Sequence, residues 1–239
     1  HLDWKVLSRT DRYYVKQYEE ETNLSANILL DCSGSMDYGS EDTITKFEYG
    51  CYLAALLSYL LIRQRDSVGL VLFDDRIRLR MPPRSTAMHL NEMMKQLERC
   101  QPGQPTRVAG IFHDLAETFK RRCLIIIISD LYDEPEAVLR AFAHFRHKKH
   151  DVIVYHVLDK SELELDFDQV FNLVDQETGE KLQVDPAFVR EDYRQRIQEF
   201  IDTYRRACRQ SGVDYITTDT QVPYDLMLTA YLDKRARLK

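Results

Sequence analysis

Short aliphatic runs alternate along this chain with longer segments in which apolar residues recur every three or four positions. The runs Asn27–Leu30, Val68–Phe73, Leu124–Ile128 and Val152–Leu158 predict strands. Their continuous rather than alternating apolar character is that of parallel strands covered on both faces. Between them, Ile44–Arg65 carries Phe47, Leu53, Leu56, Leu57 and Leu60 at helical spacing. Further helices are predicted at Ala87–Arg99, Val108–Lys120, Pro135–Phe145, Pro186–Arg209 and Tyr224–Ala236, and further strands at Arg12–Tyr18 and Tyr215–Thr218. Ile77–Met81 follows Asp74-Asp75, a two-residue acidic turn, and precedes Pro82-Pro83. That pattern predicts a hairpin whose second strand runs antiparallel at a sheet edge and stops at the prolines. Glu164–Val184, with a turn at Glu177-Thr178-Gly179-Glu180, reads as an inserted hairpin. The alternation predicts an α/β fold: a doubly wound, mostly parallel central sheet with helices on both faces and one antiparallel edge strand. We expect one domain over residues 25–239, preceded by a segment 1–24 that opens as if trimmed upstream.

Composition narrows the function classes. With 44% hydrophobic and 30% charged residues in 239, the chain can bury a sizeable core. The longest apolar stretch, Leu53–Ile62, is interrupted by Ser58 and Tyr59. It falls short of the ~20 residues that a membrane span needs. A formal charge of −6 argues against a phosphate-binding surface, so nucleic acid is not an expected partner. Five cysteines, with no C-x-x-C pair, read as buried free thiols and imply a reducing, cytoplasmic compartment.

Candidate chemistry begins where the first buried run ends, at Asp31-Cys32-Ser33-Gly34-Ser35. One carboxylate and two hydroxyls in a tight loop are hard oxygen ligands, suited to Mg²⁺ or Mn²⁺. Taken alone, the same residues also suit an ordinary helix cap. The Leu124–Ile128 run likewise ends in a carboxylate, Asp130, and the turn-rich loop Pro102–Thr106 offers the Thr106 hydroxyl ahead of the next helix. The candidate metal set is Asp31, Ser33, Ser35, Thr106 and Asp130. If the Asn27 and Leu124 strands are central neighbours, their carboxyl ends meet in the crevice where the winding reverses.

These three parts, in this order, resemble the von Willebrand factor A-type domain with its metal-ion-dependent adhesion site. More narrowly, Leu2-Asp3-Trp4-Lys5, Arg9-Thr10-Asp11-Arg12, Tyr18-Glu19-Glu20-Glu21, Leu72-Phe73-Asp74-Asp75 and Gly212-Val213-Asp214-Tyr215 resemble the bacterial subgroup catalogued as domain of unknown function fifty-eight. The resemblance implies a protein-binding module. Its Mg²⁺ or Mn²⁺ would be held by Ser33, Ser35 and Thr106, with Asp31 and Asp130 fixing waters and hydroxyls, and a partner's Asp or Glu would complete the shell. It also points to a MoxR-type AAA+ ATPase as partner, because subgroup members are frequently encoded beside one. Arg107 departs from the pattern, where a small or acidic residue is expected. Its guanidinium would either assist an acidic partner or compete with the cation.

Other residues read more plainly. His144, His147 and His150, with Lys148 and Lys149, form a cationic helix end that complements the macrodipole. Glu19-Glu20-Glu21 reads as a solvated strand end, and Trp4 as a packing anchor. The competing enzyme class is a metal-dependent phosphatase or hydrolase with Asp31 as nucleophile. Such enzymes usually need a second Asp where this chain has Ser33, and a lysine, for which the sequence offers no obvious candidate. There is no G-x-x-x-x-G-K-S/T loop.

Overall fold

The computed structural model of this chain describes residues 24–40, 43–103, 108–165, 171–174, 181–184, 186–224, 226–229 and 232. The Arg12–Tyr18 strand, Trp4, Glu19–Glu21 and most of the 1–24 segment lie outside the described residues, as do Thr106 and Arg107.

The chain enters through β1 (Ser25–Asp31), a short 3-10 turn (Gly34–Asp37) and α1 (Lys46–Arg63), then β2 (Ser67–Phe73) and β3 (Ile77–Arg84). Next come α2 (Ala87–Arg99), α3 (Val108–Thr118), β4 (Leu124–Ser129), α4 (Pro135–His147) and β5 (Asp151–Leu158). The short α5 (Lys160–Glu164), the strands β6 (Phe171–Val174) and β7 (Lys181–Val184), α6 (Pro186–Ser211) and β8 (Asp214–Asp219) follow. Six strands form one sheet in the order β3-β2-β1-β4-β5-β8, parallel throughout except for β3, while β6 and β7 make a separate antiparallel pair.

Burial follows the pleat. Ile28, Leu30, Ile126 and Ile128 face a core built with α1 and α2, where Leu53, Leu57, Leu61 and Met93 are buried. Leu29, Ile125 and Ile127 face the opposite core, where α3, α4 and α6 contribute Phe112, Leu115, Phe142, Phe145 and Tyr204. Alternate side chains of one strand point to opposite faces, so an unbroken aliphatic run fills both layers. The start of α1 is set by a reciprocal capping box: Thr45 Oγ1 accepts the Glu48 N–H at 3.1 Å, and Glu48 Oε2 accepts the Thr45 N–H at 3.0 Å. The helix therefore begins two residues later than its apolar pattern predicts.

The edge hairpin departs from expectation in two ways. Phe73 pairs with Ile77, so the turn is the three residues Asp74–Arg76, not the Asp74-Asp75 pair alone. Asp74 Oδ1 accepts the Arg76 N–H at 3.1 Å, and the Asp74 carboxylate also pairs with Arg78, so a side chain shapes this turn. Second, β3 continues through Pro82-Pro83 to Arg84. Proline lacks a ladder donor, yet β3 lies at the sheet edge, where its outward side needs none.

Candidate functional site

β1 and β4 are hydrogen-bonded neighbours, in register from Ala26 opposite Leu124 to Leu30 opposite Ile128. β2 lies on the far side of β1, and β5 on the far side of β4, so the winding reverses between them. Asp31 ends β1 and Asp130 directly follows β4, which brings both buried carboxylates to the crevice at the switch point. The predicted meeting of these two residues is what the strand order produces.

Local hydrogen bonds hold Asp31 rigidly. Its Oδ1 accepts the Ser33 N–H at 2.9 Å, folding the loop back on its own first residue, and its Oδ2 accepts the Ser129 hydroxyl at 2.6 Å. Ser129 Oγ in turn accepts the Leu131 N–H at 2.9 Å. The Ser33 and Ser35 hydroxyls stand 3.1 Å apart. Burial, reinforced by the charge of Asp130, raises the Asp31 pKa to about 7, while the bonds from Ser129 and Ser33 pull it the other way. Two carboxylates and two hydroxyls thus converge from two strand ends. Thr106 lies outside the described residues.

Sequence reasoning missed the cation already present. Lys46, the first residue of α1, is fully buried, and its Nζ lies 2.8 Å from Asp130 Oδ2 and 2.7 Å from Glu162 Oε1. The ammonium also sits over the Tyr132 ring, 4.9 Å from its centroid. Burial works to lower the lysine pKa, but Asp130 and Glu162 outweigh it and raise the value above the ordinary one. For Glu162, burial dominates and raises the pKa despite Lys46. A lysine in the first turn opposes the helix dipole. That mismatch was the one legible hint that Lys46 serves carboxylates elsewhere.

A third buried carboxylate, Asp159, braces the loop between the 3-10 turn and α1. Asp159 caps α5 and accepts from Ser161 Oγ at 2.7 Å, Thr220 Oγ1 at 2.9 Å and Thr43 Oγ1 at 3.3 Å. Burial would raise its pKa, yet the bonds from Ser161, Thr220 and the Ser40 backbone hold it below the usual carboxylate value. The histidines divide as their surroundings dictate. His144 pairs with Glu117 at 2.8 Å and meets His113 Nδ1 at 3.0 Å, whereas His150 is buried beside Cys123.

The donors suit a hard cation. Among the described residues, no three His, Cys, Asp or Glu side chains are grouped to hold a metal. What converges instead is two carboxylates and two hydroxyls, beside the Lys46 ammonium, and a cation there would relieve the charge that Asp130 imposes on Asp31. One oxygen of Asp130 is engaged by Lys46, and the other takes the Tyr132 N–H at 3.4 Å.

The strand order, with one antiparallel edge strand and a carboxylate at the end of each of the two central strands, defines a doubly wound α/β domain with its crevice at the switch point. The chain belongs to the family described as "Protein of unknown function DUF58", which matches residues 1–202. It is 25% identical over 247 residues to uncharacterized proteins of Mycobacterium tuberculosis (Rv1480) and Mycobacterium bovis (Mb1516), covering 99% of this chain and 75% of each relative. Among solved structures it is similar to the conserved hypothetical protein BatB from Bacteroides thetaiotaomicron, with a TM-score of 0.58, 17% identity, and coverage of 90% of this chain and 99% of that one. An aerotolerance-related membrane protein from Bacteroides fragilis gives 0.56 at 17% identity, covering 82% and 92% respectively. Both likenesses concern the fold. In the chain itself, no helix among the described residues is long and apolar enough to cross a membrane.

Proposed function

We propose that this domain is a protein-interaction module whose contact is made through a divalent ion, Mg²⁺ or Mn²⁺. The resemblance of its motif residues to the von Willebrand factor A-type domain, on a doubly wound sheet, supports the general reading. The observation that carries the specific one is the pairing of Asp31 and Asp130 beside the Ser33 and Ser35 hydroxyls at the switch point. Ser33, Ser35 and Thr106 would hold the ion, while Asp31 and Asp130 fix its surroundings. The bound ion would supply an incompletely neutralised, oxygen-seeking position, and an Asp or Glu from a partner fits that chemistry. The family resemblance makes a MoxR-type AAA+ ATPase the first partner to test. Lys46 and Glu162 form an internal ion pair next to that position, so the partner's carboxylate enters a site where one carboxylate is already matched.

The test is a pull-down with a purified MoxR-type ATPase, comparing the parent with Ser33→Ala/Ser35→Ala, each in Mg²⁺ and in chelator. Recovery should fall in the variant and in chelator, and chelation should cost more than moderate salt, because a coordinated carboxylate is screened less than separated surface charges. Equal recovery throughout would remove the ion from the contact.

One observation favours the hydrolase reading: Lys46 is a lysine beside Asp130, the kind of residue a phosphatase would need. It is nevertheless bound to two carboxylates, and Ser33 stands where such an enzyme carries its second Asp. We therefore read the activity as binding. Metal-dependent hydrolysis of a generic phosphate ester that Asp31→Ala abolishes and Ser33→Ala retains would reverse that choice.

A further inference from the structure

Cys32 lies between Asp31 and Ser33 and is fully buried. Its sulfur is 3.4 Å from that of Cys100, the residue that caps the end of α2. Sixty-eight positions separate the two in sequence, so the approach is a product of the fold. Cys100 is partly exposed and lines a cavity of about 540 Å³ together with Asp37, Cys51, Met94 and Pro102. A small oxidant therefore has a route to Cys100, whereas Cys32 is fully buried and does not line the cavity. Just beyond Cys100, the Gly103 N–H donates to the Cys32 carbonyl at 3.3 Å, so the two loops already touch.

We propose that Cys32 and Cys100 are a peroxide-oxidised pair that forms a reversible disulfide joining the Asp31–Ser35 loop to the loop leading to Thr106. The Cys100 sulfur attacks one oxygen of the peroxide and the O–O bond breaks, giving a sulfenic acid and water. The Cys32 sulfur then attacks the Cys100 sulfur, and the hydroxyl leaves as a second water. Two thiols give up two electrons and two protons, and hydrogen peroxide takes them up. The sulfurs must close from 3.4 Å to about 2.05 Å, a movement that side-chain rotation and a small shift of the helix cap can provide. The shared hydrogen bond with Cys32 lowers the Cys100 pKa to about 7; burial works against this and the Arg78 guanidinium assists it. Cys51 borders the same cavity and is the competing thiol.

The disulfide stands independently of whether the site takes an ion. Reduced protein is treated with hydrogen peroxide, alkylated and digested with trypsin. Cleavage after Lys46 and Arg99 leaves Cys32, Cys51 and Cys100 on three different peptides, so each pairing has its own mass. The expected product in the parent and in Cys51→Ser is a Cys32–Cys100 cross-linked peptide, two hydrogens lighter than the sum and cleaved by dithiothreitol. In Cys100→Ser that product is absent and Cys32 remains a free thiol. Met88, 83% exposed, serves as the internal control for the oxidant dose. A dose that converts Met88 to its sulfoxide while Cys100 stays reduced, carries a sulfinic acid or pairs with Cys51 overturns the proposal.

Discussion

Replacing Lys46 with methionine is the sharpest test of the electrostatics at the candidate site. The substitution keeps an unbranched side chain of similar length against Tyr132 and removes a charge that lies 2.8 Å from Asp130 and 2.7 Å from Glu162. Lys46 and Asp130 are fully buried and Glu162 largely so, which means that water cannot replace the lost cation. Breaking a buried pair from one side typically costs about 3–5 kcal/mol, because a carboxylate is left without a counter-charge. At roughly 2–4 °C per kcal/mol for a chain of this size, Tm in chelator should fall by about 6–20 °C. The same deletion removes a positive charge that competes with a divalent ion for Asp130. Mg²⁺ should therefore bind the variant more tightly, by about tenfold if only ~1.4 kcal/mol of repulsion is relieved. Differential scanning fluorimetry over a Mg²⁺ series reads both effects, because a ligand that binds only the folded state raises Tm by mass action. An unchanged Tm in chelator would show that Lys46 does not neutralise Asp130, and equal Mg²⁺ increments in parent and variant would show that the ion and the lysine do not share that carboxylate.

Three further outcomes follow from the geometry. Saturating Mg²⁺ or Mn²⁺ should raise the parent's Tm and give one site by calorimetry, and Asp130→Ala should lose both responses; a parent that responds to neither metal has no such site. Gly69→Ala should destabilise by roughly 1–3 kcal/mol in urea unfolding, because the added methyl would sit 2.8 Å from the Met81 carbonyl and from Asn27 Oδ1 where β3 bulges against β2; a neutral result would mean that the edge strand yields freely. Burial lowers the pKa of His150, opposed by its bond to the Phe119 carbonyl and by Asp151. The unfolded chain therefore takes up this proton first as pH falls below about 6.5, and the stability contribution is lost from there down to the lowered folded value. His150→Gln should flatten the urea midpoint over that range, and an unchanged slope would assign the pH dependence to other groups.

Much of the architecture was legible because its causes are local. Leu124–Ile128 could be read as a central strand from aliphatic content alone, and Asp31 and Asp130 from their places at the ends of such runs. The hairpin was legible in kind but not in extent: Pro82-Pro83 resembles a stop until the strand is known to lie at an edge. Lys46, Ser129 and Glu162 escaped notice for a different reason. Each looks ordinary in its own segment, a first-turn lysine, a strand-end serine and a helical glutamate. Their roles depend on partners 84, 98 and 116 positions away along the chain. Cys32 and Cys100 likewise show no motif that pairs them.

The sequence by itself determined the aliphatic runs that become β1, β2, β4 and β5, that the sheet is covered on both faces, and which oxygen-bearing residues stand at the ends of β1 and β4. Those properties follow from apolar periodicity and from the short-range geometry of turns and caps. The tertiary structure alone decided that β1 and β4 lie side by side, that a lysine is enclosed between two carboxylates, and that two thiols meet behind the Asp31–Ser35 loop. Charge pairing and thiol chemistry depend on separations of a few ångströms and on the exclusion of water. Neither exists until distant segments have packed together.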